Sequence, residues 1–399
     1  MRAFRIALGL ADVGTLIEAG SGTIFTYDDG FRADRDRPTL SQSLVDPAGR
    51  PLDRDVDDGV VPFFENLLPE EGPLRRYLAS RNGSDARDDL ALLDLLGENL
   101  PGAVRATLAY ETDEARTVRE KTSRPRPVWR FSLAGIQMKF SATNKGERWS
   151  VATLDEPGDW IVKLPASDRP AIVENEFAIM SLARACGLDV PEIRTIDIDD
   201  IDDLDEHLRA GPRAYAIRRF DRTPDGRVHQ EDFCQILGLR PESKYIEDTP
   251  RATAEDVASI VRELCGLDSA GEWIRRLAFS VIVGNGDAHL KNHAILYPDG
   301  RTPRLAPLYD VLCTLRYRHD DTLALSVGGT STFNDVGKGT FEDFARGANV
   351  TARTVKREVG EIVERLRQNW AIDRETVEDH DTRAILDHRV GTVAPGLLR

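Results

Sequence analysis

A polar cluster lies between two apolar stretches in the third quarter of this sequence. An apolar, helix-like run leads into it, and the apolar run 294–297 follows it. Its residues are Asn285, Gly286, Asp287, Ala288, His289, Leu290, Lys291 and Asn292. Burying a carboxylate, an imidazole, an ammonium and an amide in one short loop is costly unless they satisfy one another or a ligand. A self-satisfied polar turn and a ligand-binding loop are therefore the two interpretations of this cluster.

A second carboxylate, Asp310, stands alone among apolar residues in the segment RLAPLYDVL at 304–312. Such a carboxylate indicates a metal ligand, a helix N-cap or a buried ion pair. Asp287 and Asn292 have the D-x-x-x-x-N spacing of kinase catalytic loops. Phosphoryl transfer needs a carboxylate that orients or deprotonates the attacking hydroxyl, oxygen ligands for Mg²⁺, and cations on the phosphates. With Asp310 as the second metal ligand, these residues predict that chemistry.

Lysine is scarce in this chain, which has 8 lysines against 45 arginines. Lys163 lies in mid-strand between apolar neighbours in WIVKLP, where a kinase lysine would reach nucleotide phosphates. Lys139 and Lys291 lie in the other suggestive segments. An ammonium contacts phosphate as a point charge, and arginine is not equivalent to it. The alternative for Lys163 is a strand lysine whose charged end reaches solvent.

Other nucleotide-binding motifs are missing from the sequence. The G-K pair at Gly337 and Lys338 has Thr332 where a Walker A loop would begin. The segment GSGTIF at 20–25 does not complete a G-x-G-x-x-G loop and is better explained as a hairpin. A P-loop nucleotidase and a Rossmann enzyme are therefore disfavoured.

The pattern of the surrounding elements divides the chain into three regions. Residues 4–27 alternate as a β-meander, and the segments 61–81 and 88–99 have helical spacing before a strand at 104–110. Strands at 129–135, 148–155, 159–165, 192–198 and 214–220 enclose one helix at 173–188. Helical patterns dominate the rest, at 230–239, 254–266, 271–285 and 351–370. We expect the final 25 or so residues to be loosely held.

Composition restricts the partners of the protein. The 399 residues carry a net charge of −15, which argues against sequence-independent binding of DNA over a broad surface. No apolar run approaches the roughly 20 residues of a membrane span, so we expect a cytoplasmic protein that does not enter a membrane. The four cysteines are scattered and predict neither a disulfide framework nor a zinc site.

At these motifs the chain resembles the HipA family, the serine/threonine kinase toxins of bacterial toxin–antitoxin modules. The resemblance covers nearly the whole chain. It is carried, in order, by FFENLLPE at 63–70, the turn at 102–104, FSLAGIQMKFS at 131–141, RRFDR at 218–222, HQEDFCQILGL at 229–239, SKY at 243–245, NGDAHLKN at 285–292 and LAPLYD at 305–310.

The resemblance implies a role for each matching residue. Asp287 would orient or deprotonate the substrate hydroxyl, and His289 would brace its loop. Asn292 and Asp310 would hold Mg²⁺. The ATP contacts would come from the backbone of Ala134, Gly135 and Ile136, from the hinge residues Arg219 and Phe220, and from Lys139, Lys163 and Lys291. Ser132 matches the serine whose autophosphorylation ejects the phosphate loop in family members.

Two positions depart from the family pattern, and one further contact is expected. Arg218 stands where the hinge has an acidic residue, and Met138 precedes Lys139 where a polar residue is common. Glu176, near the start of the helix at 173–188, is placed to pair with Lys163. A solvated carboxylate favoured by the helix dipole is the alternative for Glu176.

We therefore predict a kinase-like two-lobed α+β fold with an added N-terminal α+β subdomain (1–112), an N-lobe (113–222) and a helical C-lobe (223–399). The resemblance implies an ATP- and Mg²⁺-dependent toxin kinase. It also implies a helix-turn-helix antitoxin partner (HipB-like) that supplies the DNA contacts, and a substrate in the translation machinery such as an aminoacyl-tRNA synthetase. A small-molecule phosphotransferase and a non-catalytic binding module of the same fold remain as alternatives.

Overall fold

The computed structural model describes residues 1–112, 137–152, 158–202, 204–245, 253–318 and 320–398. Its elements form mixed helix and sheet layers, as predicted for an α+β fold. In these ranges no helix combines the length and the apolar character that crossing a membrane requires. The domain boundaries at 112 and 222 stay predictions.

An antiparallel sheet opens the chain. Its strands are β1 (Arg2–Leu8), β2 (Ala11–Ala19), β3 (Gly22–Tyr27), β4 (Arg54–Val56) and β5 (Val104–Glu111), in the order β4-β3-β2-β1-β5. Helices α1 (Asp29–Ala33), α2 (Pro62–Glu65), α3 (Pro73–Asn82) and α4 (Asp89–Leu96) connect β3 to β5. The predicted meander, the helix at 88–99 and the strand at 104–110 are confirmed.

The single helix predicted over 61–81 is wrong, because it is divided into α2 and α3. Two prolines explain the break. Pro69 follows α2, and Pro73 is the first residue of α3. Proline lacks the N–H that continues a helix, and it disfavours a helical conformation in the residue before it. The segment between the two helices carries Glu70 into the interior.

A second sheet follows. It consists of β6 (Lys139–Lys145), β7 (Arg148–Val151), β8 (Trp160–Lys163), β9 (Ile193–Asp197), β10 (Ile201–Asp202) and β11 (Arg213–Arg218). The order is β10-β7-β6-β8-β11-β9, and α5 (Ile172–Ala185) connects β8 to β9. The predicted helix and the predicted strands that lie within the described ranges are confirmed, with mostly shorter strands than expected. The strand predicted at 129–135 lies outside the described residues.

The two faces of the second sheet belong to different hydrophobic cores. Phe140 and Val162 join the core of the N-terminal subdomain, whereas Tyr215 and Ile217 join the core of the helical part of the chain. Successive side chains of a strand point to opposite faces. Lys163 follows Val162 and therefore lies on the face that is turned away from the N-terminal subdomain.

The rest of the chain is mainly helical. Its strands are β12 (Arg222–Thr223), β13 (Gly226–Arg227), β14 (His229–Asp232), β15 (Ala294–Tyr297), β16 (Arg304–Leu305), β17 (Thr322–Val327) and β18 (Thr330–Thr332). Its helices are α6 (Phe233–Leu237), α7 (Ala254–Cys265), α8 (Leu267–Val283), α9 (Lys338–Gly347), α10 (Ala352–Asp373), α11 (His380–His388) and α12 (Ala394–Gly396).

Two predictions fail in this part of the chain. The segment 230–239 is not one helix, because Asp232 ends β14 and caps the short helix α6 together with Gln235. The last residues are not loosely held, because Leu386, Val390 and Leu397 are buried in the helical core. Their apolar spacing is masked in the sequence by the polar residues between them.

A buried charge network joins the end of β11 to the N-terminal subdomain. Asp221 accepts hydrogen bonds from Arg219 Nη2 at 2.7 Å, Arg222 Nη1 at 2.8 Å and the backbone N–H of Gly102 at 2.8 Å. Arg222 also donates to the carbonyl oxygens of Gly102 and Leu100. Burial alone would raise the pKa of Asp221, but the two guanidinium groups hold it well below its usual range.

Replacing Asp221 by alanine leaves two buried guanidinium groups without their carboxylate. Removing one partner of a buried ion pair typically costs about 3–5 kcal/mol, so we expect Asp221→Ala to lower the denaturant midpoint of unfolding strongly. Arg218→Ala is the matched control, since Arg218 is half-exposed and its nearest carboxylates are 3.7 Å away. Equal midpoints for the two variants would contradict this role of Asp221.

Candidate active site

The predicted site residues that the structure describes line one cavity of about 530 Å³. They are Lys139, Lys163, Arg219, Phe220, Asp287, His289, Lys291, Asn292 and Asp310. The cavity lies between the second sheet and the helical part of the chain, and its volume is typical of small-molecule sites. Ser132, Ala134, Gly135 and Ile136 lie outside the described residues.

The polar cluster is a loop that starts where α8 ends. Gly284 adopts the left-handed conformation, with φ of +75°, which glycine reaches without strain. The loop then holds itself together around the Asp287 carbonyl oxygen. This oxygen accepts hydrogen bonds from the His289 backbone N–H at 2.8 Å and from Asn292 Nδ2 at 2.7 Å. The cluster therefore combines the two interpretations. Its backbone forms internal hydrogen bonds, as in a self-satisfied turn, and its side chains line the cavity, as in a ligand-binding loop.

Among the described residues, the Asp287 carboxylate has one hydrogen-bond partner. Tyr245 donates its hydroxyl hydrogen to Asp287 Oδ1 at 2.6 Å. Burial raises the pKa of Asp287 above its usual value, and the Tyr245 hydroxyl opposes this rise. A buried carboxylate with a free oxygen facing the cavity can accept a proton from a bound hydroxyl.

His289 is buried behind this carboxylate. Its ring packs edge-on against Tyr245, with the ring centroids 5.1 Å apart. Burial lowers the pKa of His289 to about 3, and the nearby Lys244 acts in the same direction. A neutral imidazole in this position packs against the Tyr245 ring, and its role as a brace for the loop stays a prediction.

Lys163 lies between two carboxylates. Its Nζ is 2.6 Å from Glu176 Oε1 and 2.6 Å from Asp310 Oδ1. The pairing with Glu176 is the one expected from the sequence. Burial alone would lower the pKa of Lys163, but Asp310 and Glu176 together raise it well above its usual value. The ammonium is therefore charged at any physiological pH.

Asp310 has an uncommon backbone conformation for a residue other than glycine, with φ of +59°. Such conformations cluster at functional sites, where the surrounding structure enforces them. Burial alone would raise its pKa, but Lys163 and Lys139 hold the pKa well below the usual range. The carboxylate is thus ionised and faces the cavity beside Lys163.

Lys139 lies directly opposite Lys163 in the antiparallel β6–β8 pair. Like charges at facing positions of a sheet repel each other. Burial lowers the pKa of Lys139, and the charge of Lys163 lowers it as well. Within the described part of the chain its ammonium has neither a hydrogen bond nor a salt bridge. Two buried ammonium groups at a cavity wall favour a polyanionic ligand.

Two other cations expected at ATP are engaged with protein groups. Lys291 Nζ lies 2.7 Å from Asn66 Oδ1 and 3.2 Å from Asp232 Oδ2. Arg219 binds Asp221 and donates to Ser141 Oγ at 2.9 Å. Both side chains border the cavity, but these contacts hold neighbouring elements in place. Their contact with ATP stays a prediction.

The sequence-based reasoning missed several residues of the cavity wall. These are Asn66, Glu70, Asp232, Lys244 and Tyr245. Each lies in a segment that carries the resemblance to the HipA family, but the sequence assigns none of these residues a role. They share no common signal, because Asn66 and Glu70 interrupt an apolar segment whereas Asp232 and Lys244 lie among other polar residues.

The donor atoms present suit Mg²⁺ and a nucleotide. Asn292 uses its Nδ2 on the Asp287 carbonyl, which leaves its oxygen as an acceptor. Asp310 uses Oδ1 on Lys163, which leaves Oδ2. Mg²⁺ prefers such oxygen ligands and takes its remaining ligands from water and phosphate. Among the described residues no group of three or more His, Cys, Asp or Glu side chains could hold a metal, so phosphate oxygens would have to complete the site.

The fold and the cavity together define a kinase-like protein with two lobes and an additional N-terminal subdomain. Among solved structures, a chain from the complex of the Shewanella oneidensis MR-1 toxin–antitoxin proteins HipA and HipB with operator DNA has the same fold. The TM-score is 0.72 at 20% identity, over 99% of this chain and 96% of that chain.

Family models match both parts of the sequence. The HipA N-terminal domain matches residues 4–107, and the HipA-like C-terminal domain matches residues 131–370. Two Sinorhizobium fredii NGR234 proteins are similar over most of their length. "Putative kinase Y4dM" is 40% identical, covering 92% of this chain and 90% of the relative, and "Putative kinase Y4mE" is 31% identical, covering 96% and 94%. The chain belongs to the HipA family of kinase toxins.

Proposed function

We propose that this protein transfers the γ-phosphoryl group of ATP to a serine or threonine hydroxyl of an intracellular protein. The observation that carries the proposal is the convergence of Asp287, Asp310 and Lys163 on one cavity wall. These groups supply the base, a metal ligand and a phosphate cation that phosphoryl transfer requires.

Each of these residues has a defined task in the reaction. Asp287 orients the acceptor hydroxyl and takes its proton as the bond to the γ-phosphorus forms and the bond from phosphorus to the bridging oxygen breaks, which releases ADP. Lys163 and Lys139 neutralise phosphate charge, while Glu176 fixes the direction of Lys163. Asn292 and Asp310 would hold Mg²⁺, which would neutralise charge on the phosphate oxygens. Arg219 and Phe220 border the nucleotide at the hinge, and Lys291 borders it at the catalytic loop.

The central test of this reaction is the variant Asp287→Asn. It keeps the size and a hydrogen-bond acceptor for Tyr245 but cannot accept the proton. We expect transfer from γ-labelled ATP to protein to fall by about 10²–10⁴-fold, with little change in ATP binding. Asp268→Asn, the same change at an exposed carboxylate outside the cavity, is the matched control. Full labelling of Asp287→Asn would show that the assignment of the base is wrong.

We further propose that Ser132 is an autophosphorylation site. The family resemblance supports this, and a phosphoserine would add about −1.5 to −2 charge that competes with ATP for Lys139 and Lys163. In the same labelling assay, Ser132→Ala is expected to lose most of the self-label and to stay active for longer. If Ser132→Ala labels itself fully, the switch is contradicted while the kinase reaction stands. Label on a free small molecule with none on protein would instead favour a small-molecule phosphotransferase.

The biological setting follows from the family. We propose a cytoplasmic toxin whose substrate belongs to the translation machinery, with an aminoacyl-tRNA synthetase as the class to test first. The solved relative is a complex of HipA with HipB and operator DNA, which supports a HipB-like helix-turn-helix antitoxin as the partner. The net charge of −15 fits an indirect contact with DNA through that antitoxin.

A further inference from the structure

The N-terminal subdomain reaches the candidate catalytic loop through buried polar contacts. Glu70, in the segment between α2 and α3, lies 2.5 Å from Lys244 Nζ through its Oε2. The side chains are 10% and 8% exposed, respectively. Both border the cavity. Replacing a buried ion pair by apolar side chains is often neutral for stability. Stability alone therefore does not explain why this pair lies beside the loop.

Lys244 contacts the aromatic ring of the next residue, Tyr245. The Lys244 ammonium lies 5.2 Å from the centroid of the Tyr245 ring, within the range of a cation–π contact. His289 packs against the same ring edge-on. The ring is thus held by an ammonium and by an imidazole, and its hydroxyl points at Asp287 Oδ1.

We infer that Glu70 is a positioning residue for Asp287 and acts through Lys244 and Tyr245. The inference rests on the proposed function, in which Asp287 is the base. By holding Oδ1 on the Tyr245 hydroxyl, this chain of contacts turns the other carboxylate oxygen to the acceptor. The N-terminal subdomain therefore completes the catalytic site without touching the reacting atoms.

A second ion pair between the same two segments provides a matched comparison. Glu65 Oε2 lies 2.9 Å from Arg240 Nη1, again joining the α2 region to the segment before Tyr245. Neither residue borders the cavity. The two pairs tie the subdomains together in similar ways, but only the Glu70–Lys244 pair continues to Asp287.

The experiment compares Glu70→Gln with Glu65→Gln in the full-length protein, using Mg²⁺ and γ-labelled ATP. We expect Glu70→Gln to lower kcat for phosphoryl transfer by about tenfold or more, because small misplacements of a catalytic group have large effects. If Glu70 acts only on the orientation of Asp287, the KM for ATP should stay within about twofold. Glu65→Gln should keep the wild-type kcat, and Glu70→Asp should recover part of the loss.

The coupling through Tyr245 is tested in the same assay. If Glu70 acts through Tyr245, the double variant Glu70→Gln/Tyr245→Phe should be no slower than the slower single variant. Multiplying effects would overturn the inference, and so would an unchanged kcat in Glu70→Gln or an equal loss in Glu65→Gln.

Hydrogen–deuterium exchange separates this inference from the proposed function. The backbone amides of residues 286–292 should exchange faster in Glu70→Gln than in Glu65→Gln or the wild type, even without ATP. Faster exchange in a protein that transfers no phosphate would support the positioning role and contradict the proposed reaction. Unchanged exchange would overturn the positioning role whatever the activity.

Discussion

The buried ammonium of Lys163, held between Glu176 and Asp310, is the interaction on which the site depends. An unpaired charge at this depth would cost several kcal/mol, so the three side chains must stay together for the fold to be stable. They come from β8, from α5 and from the loop after β16. These contacts fix the strand, the helix and the loop of Asp310 relative to one another. It also leaves one oxygen of Asp310 and the whole of Lys139 facing the cavity.

The second sheet extends this constraint to the whole molecule. Successive side chains of its strands join two different hydrophobic cores. One core is shared with the N-terminal subdomain and the other with the helical part of the chain. The N-terminal subdomain is therefore no loosely attached addition. Asp221 and Arg222 tie it to the end of β11, Lys291 ties it to the candidate catalytic loop through Asn66, and Glu70 ties it to Lys244, the residue before Tyr245.

The site residues that could be predicted from the sequence are those that stand out from their immediate neighbours. Asp287 and Asn292 share one loop, and Lys163 stands out because its strand is otherwise apolar. Glu176 could be paired with Lys163 because a strand followed by a helix leaves few arrangements. By contrast, Lys244 meets Glu70 and Lys291 meets Asn66, both in the distant N-terminal subdomain. Lys291 also meets Asp232, 59 residues away in the chain. Nothing in the local sequence indicates which distant carboxylate or amide a buried lysine will meet.

The predictions of the fold that are wrong also fail because of contacts or residues that helical spacing does not show. The helix predicted over 61–81 has the correct apolar spacing, and proline chemistry at two positions overrides it. At 230–239, pairing of His229–Asp232 with β15 wins over helical periodicity, because a neighbouring strand supplies hydrogen bonds that the sequence does not reveal. The C-terminal helices are buried by contacts with the helical core, which a polar composition conceals.

The most direct test of the site is a calorimetric titration of ATP with and without Mg²⁺, on the wild type and on Asp310→Asn. In the wild type, Mg²⁺ should strengthen ATP binding by at least about tenfold, which corresponds to 1.4 kcal/mol, because Asp310 both restrains Lys163 and offers an oxygen to the metal. In Asp310→Asn this Mg²⁺-dependent gain should disappear. A wild type that binds no ATP, or an Asp310→Asn variant that keeps the full gain, would contradict the assignment of this cavity as a Mg²⁺–ATP site.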